Sequence, residues 1–190
     1  MSTLEGYLEI FIGPMWSGKT SELVRKYTRL TSCDIPVLAI NYIEDTRYSK
    51  NSISTHDKTI IPCTMVHSLS EISDIKNNNI SETFKNSNVI LINEGQFFKD
   101  IVEWVKCAVD VHKKHVYICG LDGDFKRKPF GNWLDLIPLC DKVTKLTAYC
   151  KLCKKRDAIF SHRLGDEESQ TVIGNNYMSL CRDCYNKLNK

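Results

Sequence analysis

The chain has 190 residues, of which 42% are hydrophobic, and this length can bury the core of one α/β domain together with a small additional unit. Its 26 lysine and arginine residues nearly balance its 23 aspartate and glutamate residues, so the formal net charge is +3 and the composition argues against a nucleic-acid-binding protein. We find no apolar stretch of about 18 residues and no secretory signal, so we expect a cytoplasmic protein without a membrane span.

The first predicted strand, Tyr7 to Ile12, leads into the loop Gly-Pro-Met-Trp-Ser-Gly-Lys-Thr at residues 13–20. This is a complete G-x-x-x-x-G-K-[ST] phosphate-binding loop, whose backbone N–H groups surround phosphate oxygens. Lys19 would contact the β- and γ-phosphates, and Thr20 would bind Mg²⁺ through its hydroxyl. Apolar residues then recur at helical spacing and predict a helix with its N-terminus at the phosphates. They are Leu23, Val24, Tyr27 and Leu30.

The alternation of strands and helices continues to about residue 148. We predict further strands at 37–42, 89–92, 115–121 and 143–148, a loop at 43–59, a short helix within 70–86 and a helix over 101–109. Strands this apolar, joined by crossover helices, predict a parallel sheet covered on both faces. The pattern changes at Tyr149, so we predict an α/β nucleotide-binding domain at 1–148 and a smaller domain at 149–190.

A carboxylate follows the apolar strand at 89–92, in the sequence Asn93-Glu94-Gly95-Gln96. We expect this strand to lie next to the strand that leads into the phosphate-binding loop, which would put Glu94 on the γ-phosphate side. There the carboxylate could accept a proton from an attacking hydroxyl or bind Mg²⁺ indirectly. A solvent-exposed glutamate in a turn is the alternative.

Four of the nine cysteines form two Cys-x-x-Cys pairs, and an odd total does not suit a disulfide framework. The pairs are Cys150 with Cys153 and Cys181 with Cys184, separated by residues 154–180. Four thiolates on two turns give a tetrahedral site that suits Zn²⁺ and has no open coordination position, so we predict structural zinc. Two disulfides or a redox dithiol are the alternatives. A reducing compartment argues against the disulfides, and a redox dithiol does not explain two pairs.

Taken together, these motifs resemble those of the type II thymidine kinases, the family of cellular and large-DNA-virus enzymes. The resemblance covers nearly the whole chain, and the remaining family motifs occur in the same order. They are Asp45-Thr46-Arg47-Tyr48, Thr55-His56-Asp57, Glu94-Gly95-Gln96-Phe97-Phe98, Leu121-Asp122-Gly123 with Phe125, Arg127-Lys128-Pro129-Phe130-Gly131, Lys145-Leu146-Thr147-Ala148, and Val172-Ile173-Gly174 before Tyr177.

The resemblance implies an α/β fold, with a P-loop parallel sheet, flanking helices and a small C-terminal zinc-ribbon domain that bears a lasso loop. It implies transfer of the ATP γ-phosphoryl group to the 5′-hydroxyl of thymidine. We expect deoxyuridine to react as well, because one methyl group discriminates weakly. The family is typically a homotetramer that is inhibited by dTTP.

The resemblance also implies roles for individual residues. The catalytic residues would be Glu94 as the base, together with Lys19 and Arg47. ATP and Mg²⁺ would be held by Gly13, Pro14, Met15, Trp16, Ser17, Gly18, Lys19 and Thr20, with Asp45, Asn93 and Gln96. Thymidine would be bound by Met15, Phe97, Leu121, Phe125, Phe130, Ser161, Val172, Ile173, Gly174 and Tyr177.

Two residues depart from the family pattern within these motifs. Asn93 stands where the family usually has Asp, so we expect a raised Mg²⁺ requirement that Asn93→Asp lowers. Trp16 stands where Phe is frequent, and we expect that change to be benign. Three alternatives remain: a kinase for another deoxynucleoside, a zinc-ribbon ATPase that binds nucleic acid, and a non-catalytic relative.

Overall fold

A six-stranded sheet forms the centre of the computed structural model, which describes residues 5–45, 52–55, 59–77, 79–165, 167–170 and 176–189. In chain order the elements are β1 (Tyr7–Gly13), α1 (Lys19–Thr31), β2 (Val37–Tyr42), β3 (Ser52–Ser54), β4 (Ile60–Pro62), β5 (Thr64–Val66), α2 (Glu82–Asn86), β6 (Val89–Ile92), α3 (Ile101–Asp110), β7 (His115–Leu121), β8 (Lys142–Lys145), β9 (Ala148–Tyr149), β10 (Asp157–Ala158), β11 (Phe160–Arg163), β12 (Tyr177–Leu180) and α4 (Arg182–Leu188). Four 3₁₀ segments occur at Leu69–Glu71, Ile75–Asn77, Gly95–Phe97 and Trp133–Leu139.

All paired neighbours in the central sheet run parallel, as the sequence predicts. Both faces are buried because alternate residues of each strand enter different cores. Ile90 and Ile92 of β6 pack on the α3 side, whereas Leu91 packs on the α1 side. Trp104 of α3 and Leu23 of α1 cover these two faces. The predicted strands at 37–42, 89–92 and 115–121 are therefore confirmed. The helix predicted after the phosphate-binding loop (α1) and the helix predicted over 101–109 (α3) are confirmed as well.

The strand order corrects one expectation. The sheet runs β5-β2-β6-β7-β1-β8, so β7 lies between β6 and β1, and the strand before Glu94 does not neighbour the strand before the phosphate-binding loop. Gly120, near the end of β7, has no side chain and so leaves room for side chains that follow β6 to reach over β7 towards β1. A Cβ atom at Gly120 would lie 2.6 Å from Gln96 Oε1 and 2.8 Å from a ring carbon of the buried Trp133, so both side chains would have to move. Groups that follow β6 thus reach the loop across the end of β7.

Three segments differ from the predicted elements. The strand predicted at 143–148 is β8, which ends at Lys145, and Ala148 belongs to the separate strand β9. The helix predicted within 70–86 is split into the 3₁₀ turns at Leu69–Glu71 and Ile75–Asn77 and the short helix α2. Helix α2 begins after Ser81, which caps its N-terminus: the Ser81 hydroxyl accepts a hydrogen bond from the Phe84 N–H (3.2 Å). Within the predicted loop at 43–59, the described residues include β3, which pairs with β4 in an antiparallel hairpin.

The C-terminal part of the chain packs around a separate apolar cluster. Strands β9 and β10 form one antiparallel pair, and β11 and β12 form another, next to α4. Ala158 and Leu180 are fully buried there, and Trp16 from the phosphate-binding loop packs against the same cluster. Among the described residues, none of the helices is long and apolar enough to span a membrane.

Candidate active site

The phosphate-binding loop connects β1 to α1 in a backbone shape that its glycines permit. Gly18 adopts a left-handed conformation (φ +80°) where α1 begins. A Cβ atom at Gly13 would lie 2.4 Å from the Leu146 carbonyl oxygen, so the loop passes too close to that backbone for any side chain. The Lys19 Nζ group donates to the Pro14 carbonyl (2.6 Å), as does the Ser17 hydroxyl (2.9 Å). These bonds hold the loop curved around its lysine.

A chain of buried hydrogen bonds runs from the loop to the end of β2. The Thr20 hydroxyl donates to Asn93 Oδ1 (3.4 Å), and Asn93 Nδ2 donates to Asn41 Oδ1 (3.0 Å). Asn41 Nδ2 in turn donates to a carboxylate oxygen of Asp45 (3.4 Å). The Cys119 thiol also donates to Asn93 Oδ1 (3.0 Å), and burial raises its pKa to about 12, so it stays protonated. Sequence reasoning found Asn93 and Asp45 but missed Asn41 between them.

Glu94 lies in the same cleft as the loop, and the residues that line this cleft include Lys19, Thr20, Glu94 and Leu121. Its backbone is left-handed (φ +54°), an uncommon conformation for a residue with a side chain, and such strain is often found at functional sites. The Gln96 Nε2 group donates to the Glu94 carboxylate (2.6 Å). Because Gln96 Oε1 accepts from the Leu121 N–H (3.0 Å), Gln96 is fixed at both ends and holds the carboxylate in place.

Three contacts join the phosphate-binding loop to the C-terminal part of the chain. The Met15 N–H donates to the Ser161 hydroxyl oxygen (2.9 Å), and Trp16 Nε1 donates to the Tyr177 carbonyl (3.4 Å). The Lys151 ammonium lies 4.1 Å from the centroid of a Trp16 ring, a cation–π contact. The structure therefore gives the tryptophan a hydrogen bond that a phenylalanine could not make.

The aromatic residues implied for the thymidine pocket fall into two groups. Phe97 stacks on Tyr42 (centroids 5.0 Å apart) and meets the buried Phe130 edge to face (5.5 Å). Phe125 and Tyr177 instead meet at Arg163. The Arg163 guanidinium lies 3.8 Å from the Phe125 centroid and donates to the Tyr177 hydroxyl from Nη2 (2.6 Å) and Nε (3.1 Å).

Arg163 is the second residue that sequence reasoning did not assign to the site. It is 4% exposed, and its guanidinium also donates to the backbone carbonyls of Glu167 (2.9 Å), Ser169 and Gln170 (2.9 Å). A buried arginine with several acceptors is an organising group rather than a solvated charge. Its burial could not be predicted, because its partners come from a loop without periodic pattern.

The four cysteines of the two Cys-x-x-Cys pairs come together, with all sulfur atoms within 4.8 Å of one another. The sulfurs of Cys153 and Cys181 are 3.9 Å apart, close to the roughly 3.8 Å edge of a tetrahedron with Zn–S bonds of about 2.3 Å. The thiols influence one another: backbone N–H groups of Cys153, Cys181 and Leu152 outweigh burial and lower the pKa of Cys150 to about 6, whereas burial and the neighbouring thiols raise the pKa of Cys184 to about 12. The positions of the four sulfurs show that the cluster could hold a zinc ion.

The structure thus brings together the loop residues 15–20, Asp45, Asn93, Glu94 and Leu121 around one cleft. Four further residues implied by the resemblance lie outside the described residues, namely Arg47, Val172, Ile173 and Gly174.

A parallel α/β sheet with a phosphate-binding loop between its first strand and helix, and a cleft beside that loop lined by Glu94, gives the chain the architecture of a P-loop protein. The sequence model of the thymidine kinase family matches residues 6–185. The chain therefore belongs to the thymidine kinase family, and it is a nucleoside kinase, that is, a phosphotransferase.

Curated relatives agree over nearly their whole length. The chain is 42% identical to the thymidine kinase of Yaba monkey tumor virus, over 100% of this chain and 99% of the relative. It is 41% identical to that of vaccinia virus strain Ankara (95% and 97%) and 40% identical to that of myxoma virus (97% and 99%).

Among solved structures, domain III of the Thermotoga maritima replication initiation protein DnaA overlaps 76% of this chain and 56% of that one, with 16% identity. Its TM-score of 0.43 is too low to support an inference.

Proposed function

We propose that the protein transfers the γ-phosphoryl group of ATP to the 5′-hydroxyl of thymidine, with Glu94 as the general base. The observation that carries this proposal is the shared cleft, in which Glu94 lies with the phosphate-binding loop residues Lys19 and Thr20. Family membership supports ATP and thymidine as the substrates. Phosphoryl transfer requires mainly positioning and charge neutralisation, and these residues supply both.

Each group has a distinct task in the proposed reaction. The backbone N–H groups of loop 13–20 and the N-terminus of α1 hold the phosphates, and Lys19 neutralises charge on them. Glu94 accepts the proton of the 5′-hydroxyl as that oxygen attacks the γ-phosphorus. Gln96 holds the Glu94 carboxylate (2.6 Å) and so acts as a positioning residue rather than a direct ATP ligand. Arg47 would neutralise charge near the transferred group.

Mg²⁺ would be held by the Thr20 hydroxyl, with the Asn93 amide oxygen beside it (3.4 Å). Both are oxygen donors, which Mg²⁺ prefers, and the ion would bridge and neutralise the phosphates. Because Asn93 carries no charge, this chain attracts the ion less strongly than a carboxylate would.

We propose that the nucleoside lies between the loop and the C-terminal part of the chain. The base would be surrounded by Met15, Phe97, Leu121, Phe125, Phe130 and Tyr177. Ser161 would lie beside it, where its hydroxyl oxygen accepts a hydrogen bond from the Met15 N–H (2.9 Å). Val172, Ile173 and Gly174 would supply backbone groups to the base from a lasso loop. Since the thymine methyl is worth only about 1–3 kcal/mol, deoxyuridine is also a substrate.

The four-cysteine cluster would bind one structural zinc ion through Cys150, Cys153, Cys181 and Cys184. The zinc supplies no reaction chemistry there, because four thiolates fill a tetrahedral shell. Its role is to hold β9–β12 and α4 in a zinc-ribbon domain at 149–190, next to the nucleotide-binding domain at 1–148. We further propose a homotetramer inhibited by dTTP. We also propose a cytoplasmic location, since none of the nine cysteines forms a disulfide, as is typical of a reducing compartment.

The experiment that tests the proposal measures ADP release from Mg-ATP with thymidine, deoxyuridine, deoxycytidine or deoxyguanosine, and with no nucleoside. We expect turnover with thymidine far above the blank, and measurable turnover with deoxyuridine. A preference for deoxycytidine or deoxyguanosine would indicate a different nucleoside specificity. ADP release that ignores nucleosides but rises with DNA or RNA would replace the proposal with a nucleic-acid-dependent ATPase.

A further inference from the structure

Asn41 lies in the middle of the buried hydrogen-bond chain that joins the phosphate-binding loop to Asp45. It is 2% exposed, and Asn93 and Asp45 on either side are 3% and 8% exposed. Asn41 and Asn93 stand at the carboxyl ends of β2 and β6, which are adjacent strands in the sheet. Polar side chains that are this deeply buried require matched partners, because an unmatched one is strongly destabilising.

The direction of each bond is fixed by chemistry. A carboxylate oxygen accepts hydrogen bonds, so the group of Asn41 that faces Asp45 must be its NH₂ group. This leaves the Asn41 oxygen pointing towards Asn93, where it accepts from Nδ2 (3.0 Å). Asn93 must then point its own oxygen the other way, to the Thr20 hydroxyl (3.4 Å) and the Cys119 thiol (3.0 Å). The carboxylate at Asp45 thus determines the orientation of both amides.

We propose that Asn41 is a positioning residue for the phosphate-binding site. Because its NH₂ group faces the Asp45 carboxylate, its oxygen faces the NH₂ group of Asn93. This turns the Asn93 amide oxygen towards Thr20 and its Mg²⁺. With the opposite orientation, Asn93 would present an NH₂ group to the metal side of Thr20. An NH₂ group cannot bind a cation and would repel one. This inference rests on the proposed nucleoside kinase function and adds a residue that sets how this site binds Mg-nucleotide.

A double-mutant cycle tests the inference with the variants Asn41→Asp, Asp45→Asn and the exchange of both. Asn41→Asp is nearly isosteric and still offers Asn93 an acceptor, but it replaces the donor that faces Asp45 with a second carboxylate. At pH 8 the two negative charges repel each other, so residue 41 no longer holds Asn93 in its position beside Thr20. The exchanged pair restores a carboxylate next to an amide and still offers Asn93 an acceptor. Asn86→Asp, at the exposed end of α2, is the matched control because it adds the same charge far from the cleft.

The readouts are the KM values for Mg-ATP and for thymidine, the binding of Mg-ADP measured directly by calorimetry, and the Tm. We expect Asn41→Asp to weaken Mg-nucleotide binding by about 5- to 100-fold, the range for an unmatched buried polar group, while the KM for thymidine changes little. The exchanged variant should bind Mg-ADP at least fivefold more tightly than the product of the two single effects predicts. Asn86→Asp should match the wild type.

Two results would overturn the inference. One is an exchanged variant whose Mg-ADP affinity equals the product of the single effects, which would mean that residues 41 and 45 act independently. The other is an Asn41→Asp variant that loses stability but binds Mg-ADP normally, which would leave Asn41 a structural residue only. Calorimetry with Mg-ADP needs no turnover. A protein that binds Mg-ADP but does not phosphorylate thymidine would therefore refute the proposed function separately.

Discussion

Replacing Glu94 with glutamine tests the proposed base with little disturbance of the site. Glutamine has the shape of glutamate, and its amide oxygen can still accept the hydrogen bond from Gln96 Nε2, which measures 2.6 Å in the native site. The left-handed backbone at this position is also unaffected, because the two side chains branch alike. The substitution therefore removes the ability to accept a proton and keeps the hydrogen bond from Gln96.

The expected loss follows from the value of general base catalysis. A positioned base contributes about 10²- to 10⁴-fold, which corresponds to about 2.7–5.4 kcal/mol of barrier at 1.36 kcal/mol per tenfold change. We expect kcat to fall by that factor while the KM for Mg-ATP stays within about threefold, since the lost interaction belongs to the transition state.

The assay is steady-state ADP release at saturating thymidine and Mg-ATP. Glu82→Gln is the control, because Glu82 is exposed on α2 and pairs only with Lys85 at the surface, a contact worth about 0.5 kcal/mol or less. A Glu94→Gln enzyme with a kcat near that of the control would refute the assignment of Glu94 as the base.

Four further predictions concern the contacts around the cleft. Arg163→Lys keeps the charge but loses the guanidinium fork that holds Tyr177, so we expect the KM for thymidine to rise about 10-fold or more, with Arg156→Lys at the surface as the control. Trp16→Phe removes the Nε1–H donor to the Tyr177 carbonyl and should lower stability by about 0.5–1.5 kcal/mol, measured by urea unfolding; an unchanged midpoint would show the substitution to be benign. Asn93→Asp adds a charge for Mg²⁺ but loses the donor to Asn41, so a Mg²⁺ titration should show a lower requirement together with a reduced Tm. Elemental analysis should find one zinc per chain, and chelation should lower the Tm; a protein without zinc at full stability would contradict the zinc-ribbon interpretation.

Local chemistry made some of these features predictable from the sequence. The phosphate-binding loop is contiguous, so its eight residues and flanking periodicity identify it without knowledge of the fold. Strand β6 is apolar over its whole length, and β2 and β7 are apolar over most of theirs, so all three strands were predictable for the same reason. The cysteine pairs predicted a four-sulfur cluster because each turn brings its own two thiols together.

Other features depend on contacts between distant parts of the chain. Asn41 and Asn93 are 52 residues apart, and Met15 and Ser161 are 146 apart, so no local pattern indicates that either pair is bonded. The position of β7 between β6 and β1 was also not predictable, since periodicity identifies strands but not their order. One sequence feature could have indicated Asn41. It is a polar residue near the carboxyl end of a largely apolar strand, and ligand-binding sites of parallel sheets form at the carboxyl ends of their strands.

The surroundings of Asn93 bear on whether its departure from the family pattern has disabled the site. A carboxylate lost without compensation would leave the neighbouring donors and acceptors of this buried region mismatched. Instead both ends of the Asn93 amide are matched, by Asn41 on one side and by Thr20 and Cys119 on the other. Among the residues that the structure describes, the only buried side-chain oxygen or nitrogen without a partner is the Ser52 hydroxyl. Residue 93 is thus neutral but matched at both ends of its amide, so the loss of a carboxylate has left no mismatched group at Asn93 itself. This argues against a site disabled at Asn93, and it supports the inference that Asn41 and Asn93 act together.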